Sequence, residues 1–176
     1  YPSLVPRYAL GNIWSSNEDY DDLKLKQLVD TFEKEKIPLS TIVLDKDWHT
    51  RKKRGNDLVK GGFDFNSNYF KNPKAMIDYL KTKNIRMGLS IVPTEGIYDE
   101  NKLFNEALKY LKTDGEGKIP FNVLDPVFTD VYLKLFIHPL DNLGIDFYFL
   151  DGEDSRELLS LIKHYQFYDM KRDFKR

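Results

Sequence analysis

Short apolar segments that alternate with longer segments of helical periodicity limit most strongly how this chain can fold. Four segments are short, mostly apolar and rich in β-branched or aromatic residues: 8–13, 39–44, 86–92 and 146–150. Polar, glycine or proline residues lie near their ends, which is typical of buried strands. Strands separated by helices pair in parallel through right-handed crossovers. The sequence therefore predicts an α/β fold with a parallel sheet.

Helical signals fill the connections between these strands. An apolar stripe runs from Leu23 to Ile37 at helical spacing. Pro73 opens the second helix, and Asp125 with Pro126 opens a later one, because proline is favoured in the first turn and aspartate at the N-cap. The pattern predicts two helices in the third connection, from about 100 to 111 and from 125, and a last helix from about 155.

Chain length and turn chemistry separate two architectures, a small doubly wound sheet and a (β/α)8 barrel. A complete barrel needs roughly 250 residues, and this chain has 176. A doubly wound nucleotide-binding sheet usually has a glycine-rich turn after its first strand, whereas residues 11–14 read Gly-Asn-Ile-Trp. We therefore predict the first half of a TIM (β/α)8 barrel, with four parallel β/α units in one partial domain, 1–176.

Composition excludes several classes of function. The 27 Lys and Arg residues balance 28 Asp and Glu, without the basic excess typical of nucleic-acid binders. No apolar run is long enough to span a membrane. Cysteine is absent, which removes thiol nucleophiles and cysteine-ligated zinc. The three histidines lack metal-ligand spacing, so we expect no metal and no other cofactor.

Acidic and aromatic residues gather directly after the predicted strands. Barrel enzymes place their sites at these carboxyl ends. After the second strand come Asp45, Asp47, Trp48 and His49, and after the fourth comes Asp151. Each also has a structural interpretation. Asp151 could cap the next helix, and the two aspartates after the second strand could lie in a solvated loop beside the basic run 51–54.

Six runs of the sequence, in order, resemble glycoside hydrolase family 31. They resemble its first strand, second strand, aromatic loop, third-strand turn, fourth strand and the stretch before its fifth strand. The runs are 6–15; 37–40 with 45–49; 62–66 with 70–74; 93–97; 138–140 with 144–151; and 164–170.

The resemblance implies a retaining enzyme that acts on α-linked sugars, mostly α-glucosides and α-xylosides. It makes Asp151 the nucleophile and Asp45 the carboxylate that holds sugar hydroxyls. A retaining mechanism needs a second carboxyl group as acid and base, and the family has this aspartate after the sixth strand. The chain ends before a fifth, so we expect a fragment of a longer α-glycosidase that does not turn over substrate alone.

Further substrate contacts are expected from residues near these acids. Trp14, Trp48 and Phe149, with Phe63 and Phe65 of the aromatic loop, offer flat apolar faces for sugar C–H surfaces, although each could equally pack inside the barrel. Asp47 adds a second acid to this site. His49 could hydrogen-bond a sugar or orient Asp47.

Departures from the family pattern leave two alternatives open. Residues 152–154 read Gly-Glu-Asp where the family has an aromatic residue or Met followed by Gln or Asn, which favours a non-catalytic, degenerate carbohydrate-binding protein. A phosphoacceptor domain using Asp45, Asp47 and Asp151 would need a lysine near a fifth strand. Exposed strand edges of a half-barrel also predict self-association.

Overall fold

The computed structural model of the protein describes residues 4–16, 18–45, 48–50, 53–54, 57–58, 61–151 and 156–169. In this part of the chain the strands are β1 (Ile13–Ser16), β2 (Thr41–Leu44), β3 (Lys53–Arg54), β4 (Asp57–Leu58), β5 (Arg86–Ile91), β6 (Ile97–Tyr98), β7 (Lys118–Ile119) and β8 (Phe147–Leu150). The α-helices are α1 (Asp22–Lys34), α2 (Pro73–Thr82), α3 (Phe104–Leu111), α4 (Pro126–Val131), α5 (His138–Leu143) and α6 (Arg156–Tyr168). Single 3₁₀ turns span Arg7–Leu10 and Pro93–Glu95, and a π-helical segment, Tyr132–Ile137, joins α4 to α5.

A parallel four-stranded sheet forms the centre of the fold. Its order is β1-β2-β5-β8, and all three strand pairs are parallel. Consecutive strands of the sheet are connected through helices, so the predicted β/α order and fold class are confirmed. Two short antiparallel hairpins, β3–β4 and β6–β7, lie in the connections after β2 and β5. The sequence pattern did not predict them because each strand has two residues.

The first strand begins later than the prediction of 8–13. Residues Arg7–Leu10 form a 3₁₀ turn instead, and its local hydrogen bonds occupy backbone groups that strand pairing would need. The side chain of Leu10 is 76% exposed, so the apolar residues here do not mark a buried strand. The ring of Tyr8 stacks on Phe147, with ring centroids 6.0 Å apart, and the sheet begins at Ile13.

Side-chain caps fix the starts of three helices. Asp21, Asn72 and Asp125 accept hydrogen bonds from backbone N–H groups in the first turns of α1, α2 and α4. The predicted openings at 73 and 125–126 are therefore confirmed. The third connection holds more than the two predicted helices, because the π-helical segment and α5 follow α4. Within the described ranges, no helix has the length and apolarity that a membrane crossing requires.

The two faces of the sheet differ in their environment. Ile42, Leu44 and Leu89 point to the helix layer and are buried, since successive residues of a strand alternate between faces. The opposite face, named the open face below, carries a row made by Val43, Gly88 and Phe147. Beyond that row towards the carboxyl ends of the strands, Asp45 and Phe149 are exposed, whereas Ser90 between them is buried.

Candidate active site

Two aspartates follow strands of the central sheet, and both lie on the open face. Asp45 comes directly after β2, and Asp151 comes directly after β8. The backbone N–H of Asp151 donates to the carbonyl of Ile91, at 2.9 Å, which fixes Asp151 against the end of β5. Both aspartates are exposed. The alternation along each strand places both side chains on the open face.

The strand register gives the relative heights of these residues. Leu44 pairs with Leu89, which pairs with Tyr148, so one further residue along each strand brings Asp45 level with Phe149. Asp151 lies two residues beyond Phe149. Because β5 separates β2 from β8, the two aspartates are about 10 Å apart across the sheet and about 7 Å apart along it.

Phe149 completes this exposed group. It is 58% exposed and lies on the open face level with Asp45 and two residues before Asp151. An aromatic ring with an accessible face beside a carboxylate can pack against the C–H surface of a sugar while the carboxylate accepts hydroxyl hydrogen bonds. The structure therefore brings together three of the residues predicted for the site: Asp45, Phe149 and Asp151.

Trp14 is not part of this group. Its indole ring packs edge-on against Phe32 of α1, with centroids 5.4 Å apart. Its N–H donates to the hydroxyl of Tyr20 at 2.8 Å. Trp14 therefore lies on the helix side of β1, and packing between sheet and helix accounts for its position.

Trp48 and His49 are buried beneath residues 61–66. Trp48 has no exposed surface, and its indole N–H donates to the carbonyl of Ser90 at 2.8 Å. The Nδ1–H of His49 donates to the carbonyl of Thr50 at 3.0 Å. A Cβ on Gly62 would lie 2.1 Å from that nitrogen, so the imidazole packs directly against the loop backbone. Both side chains are therefore buried and offer almost no surface to a ligand. Asp47 lies outside the described residues.

The covering loop, residues 61–66, is called the aromatic loop here. Phe63 is buried and Phe65 is half-buried, so Phe65 offers more surface to a ligand than Phe63. The loop pairs with the segment after β2, since Thr50 N–H donates to the carbonyl of Asp64 at 3.1 Å and Asn66 N–H to that of Trp48 at 2.8 Å. These bonds fix the loop beside the end of β2.

Asn101 is a residue that the sequence analysis missed. Its side chain is buried and contacts three backbone groups in two loops. The signal available in the sequence was a single asparagine in the polar run 99–102, which resembles an ordinary surface turn. Glu95, in the 3₁₀ turn after β5, accepts a hydrogen bond from the hydroxyl of Tyr98 at 3.3 Å. Among the described residues, no cluster of three acidic or histidine side chains could hold a metal ion.

The model of the glycosyl hydrolases family 31 TIM-barrel domain matches residues 2–172. An alpha-xylosidase of Saccharolobus solfataricus is 30% identical over 163 residues, which is 90% of this chain and 20% of the relative. The chain thus spans about a fifth of the length of this curated relative.

Two solved structures of the same family share the fold. A family 31 alpha-xylosidase from a soil metagenome, complexed with xylose, has a TM-score of 0.65 and 20% identity, covering 84% of this chain and 22% of its own. A family 31 dextranase of Flavobacterium johnsoniae, complexed with glucose, has a TM-score of 0.66 and 22% identity, covering 85% of this chain and 19% of its own. The family match, the parallel sheet and the curated relative agree: the chain belongs to glycoside hydrolase family 31 and covers part of that family's TIM-barrel domain.

Proposed function

We propose that this chain is the part of a retaining α-glycoside hydrolase that supplies the nucleophile, Asp151, and a sugar-binding carboxylate, Asp45. The observation that carries the proposal is the position of both aspartates on the open face, directly after parallel strands. Retaining glycosidases use carboxyl pairs about 5–5.5 Å apart. The backbones of Asp45 and Asp151 are separated by about 10 Å across the sheet and about 7 Å along it, which suits Asp45 to binding rather than to acid–base catalysis.

The chemistry assigned to Asp151 is nucleophilic attack. A carboxylate oxygen forms a bond to the anomeric carbon, while the bond from that carbon to the leaving oxygen breaks and the oxygen takes a proton from a second carboxyl group. Water then cleaves the glycosyl ester with that second group as base. The family resemblance assigns the second group to a later strand, so we expect the 176-residue chain alone to leave ordinary α-glycosides uncleaved and to form the ester only with a leaving group that needs no proton.

We infer that α-xylosides are the favoured substrate class. The curated relative is an alpha-xylosidase, and one of the structural neighbours is an alpha-xylosidase complexed with xylose. A pentose offers hydroxyls to Asp45 and a C–H face to Phe149. An α-glucoside carries one more exocyclic group, which must be accommodated beside the same residues.

An activated sugar tests this function without a catalytic acid. Fluoride leaves an α-xylosyl fluoride without needing protonation by the protein, so the wild-type chain is expected to gain one xylosyl unit by intact mass spectrometry. Peptide mapping should place the ester on Asp151. The Asp151→Asn variant should gain none, and Asp45→Asn should react with a weaker apparent affinity. Equal labelling of wild type and Asp151→Asn would overturn the assignment of the nucleophile.

A non-catalytic carbohydrate-binding protein is the second candidate. It is favoured by the Gly-Glu-Asp sequence at 152–154, where the family pattern has an aromatic residue or Met followed by Gln or Asn. Titration with methyl α-D-xyloside, followed by NMR, separates the two functions. Binding that Asp45→Asn weakens, without any xylosyl ester, would support the binding protein, and absence of both binding and ester would contradict both.

We also propose that the chain self-associates through the outer strands of its sheet. Within the described residues, β1 and β8 each have one partner strand, so each leaves one edge of backbone donors and acceptors for pairing. Ile13 on β1 is 46% exposed and adds apolar surface to that edge.

A further inference from the structure

Asn101 links two loops at the carboxyl end of the sheet. Its side-chain oxygen Oδ1 accepts a hydrogen bond from the backbone N–H of Phe63 at 2.8 Å. Its Nδ2 donates to the carbonyl of Gly61 at 3.2 Å and to that of Tyr98 at 2.8 Å. The side chain is buried, so both amide donors and the acceptor are used away from water. One asparagine thus binds the aromatic loop to the chain that follows β5.

The aromatic loop transmits this attachment to the end of β2. Asp64 accepts the N–H of Thr50, and Asn66 donates to the carbonyl of Trp48. His49 and Phe65 form an antiparallel bridge between these two hydrogen bonds. The segment 48–50 is therefore paired with the aromatic loop along its length, and it begins three residues after Asp45.

Close packing against the turn after β5 fixes the position of the aromatic loop. A Cβ on Gly61 would lie 2.5 Å from the carbonyl oxygen of Gly96, so the backbones of the aromatic loop and of the turn after β5 are in direct contact. A second bond reinforces this contact, since the backbone N–H of Lys102 donates to the carboxylate of Asp64 at 2.7 Å. Such an arrangement has one well-packed position.

We propose that Asn101 is a positioning residue, which holds the aromatic loop and, through it, the segment 48–50 in register with the chain after β5. It does not contact substrate. Its contribution to sugar binding, which rests on the proposed function, is to keep the base of the Asp45 site fixed. Buried polar networks with every group paired are well suited to fixing one conformation.

Hydrogen exchange on the 176-residue chain tests the coupling directly. In Asn101→Ala, the amide of Phe63 loses its acceptor, and the amides of Thr50 and Asn66, which Asn101 does not touch, are expected to exchange about tenfold faster or more. Faster exchange at Phe63 with wild-type exchange at Thr50 and Asn66 would overturn the proposal, because the loop would then not transmit the change.

Thr129→Val is the matched control. The Thr129 hydroxyl is a buried group on α4 that donates to the carbonyl of Val123 at 3.1 Å, so its removal also deletes a buried hydrogen bond. It should leave the exchange of Thr50 and Asn66 unchanged. An equal increase in both variants would indicate general loosening and contradict a specific role for Asn101.

A second variant keeps the test decisive if Asn101→Ala does not fold. Asn101→Asp retains an oxygen for the Phe63 N–H but sets its second oxygen against the carbonyls of Gly61 and Tyr98, so the amides of Thr50 and Asn66 are expected to exchange faster than in wild type. Titration with methyl α-D-xyloside should then show weaker binding in Asn101→Asp than in Thr129→Val. If wild type binds no sugar, the proposed function fails while hydrogen exchange still decides the coupling. If wild type binds and both variants match it, the role of Asn101 in sugar binding is wrong.

Discussion

The replacement Tyr132→Phe is expected to stabilise the protein. Tyr132 begins the π-helical segment, is 1% exposed and packs against Phe63 and Phe128. Its hydroxyl has no hydrogen-bond partner among the residues that the structure describes. Leaving a hydroxyl buried and unpaired costs about 1–3 kcal/mol. Removing one oxygen forfeits several dispersion contacts of roughly 0.1–0.2 kcal/mol each, so the net gain in unfolding free energy is about 1 kcal/mol.

The same chemical change at Tyr148 should have the opposite sign. The Tyr148 hydroxyl donates to Oδ1 of Asp141 on α5 at 2.8 Å. Hydrogen bonds to charged groups contribute about 1.5–3 kcal/mol, and the half-buried position of Tyr148 favours the lower end of that range. Urea unfolding, followed by circular dichroism, compares the variants. With an m-value of about 2 kcal/mol/M, the midpoint should rise by about 0.5 M in Tyr132→Phe and fall in Tyr148→Phe.

Alkaline pH gives a second measurement of the same hydroxyl. Burial raises the pKa of Tyr132 above its ordinary value. The unfolded chain loses this proton near pH 10, whereas the folded chain keeps it. The unfolding free energy of wild type therefore does not depend on this group below pH 10 and falls as pH rises above it. The advantage of Tyr132→Phe over wild type should therefore grow above pH 10. A variant that is less stable than wild type at pH 7 would refute the reasoning, because the hydroxyl would then have a favourable partner.

Three further changes test the fold. Asp146→Ala removes a buried carboxylate that accepts the backbone N–H of Met87 at 3.0 Å. It should lower the unfolding free energy by about 2 kcal/mol. Urea unfolding measures this loss, with Asp146→Asn as the milder control. Gly88→Ala places a Cβ 2.4 Å from the ring of Phe147 and should cost about 1–3 kcal/mol in the same assay. Ile13→Lys should weaken self-association in analytical ultracentrifugation. Ile37→Lys, at a similarly exposed isoleucine after α1, should leave it unchanged. Equal weakening in both variants would contradict pairing through β1.

Most of the sheet and helix order could be predicted from the sequence because burial and capping leave local signals. The apolar run ending at Leu44 had to be a strand buried by helices, and Asp125 with Pro126 marks a helix start through the cap itself. The hairpins β3–β4 and β6–β7 carry too few residues to show an alternating pattern. The first strand was misplaced because an apolar segment, Arg7–Leu10, satisfies its backbone locally in a 3₁₀ turn.

The candidate site divides in the same way. Asp45 and Asp151 could be placed on one face from their positions after parallel strands. The aromatic residues could not, because their exposure depends on strand phase and on the loops above them. Trp14 was expected to follow the first strand; with that strand beginning at Ile13, it lies within the strand and points to α1. Trp48 is covered by a loop whose position depends on Asn101, far along the chain.

The absence of a side chain at Gly88 leaves room for an aromatic ring over the middle of the open face. Gly88 lies on β5, between Val43 of β2 and Phe147 of β8, and the ring of Phe147 occupies the space above its Cα. Tyr8 of the 3₁₀ turn stacks on that ring and adds packing to this part of the open face. Phe149, two residues further along β8, has no such cover among the described residues and stays 58% exposed. Packing over Gly88 therefore covers the middle of the sheet, whereas Asp45, Phe149 and Asp151 stay exposed at the carboxyl ends of β2 and β8.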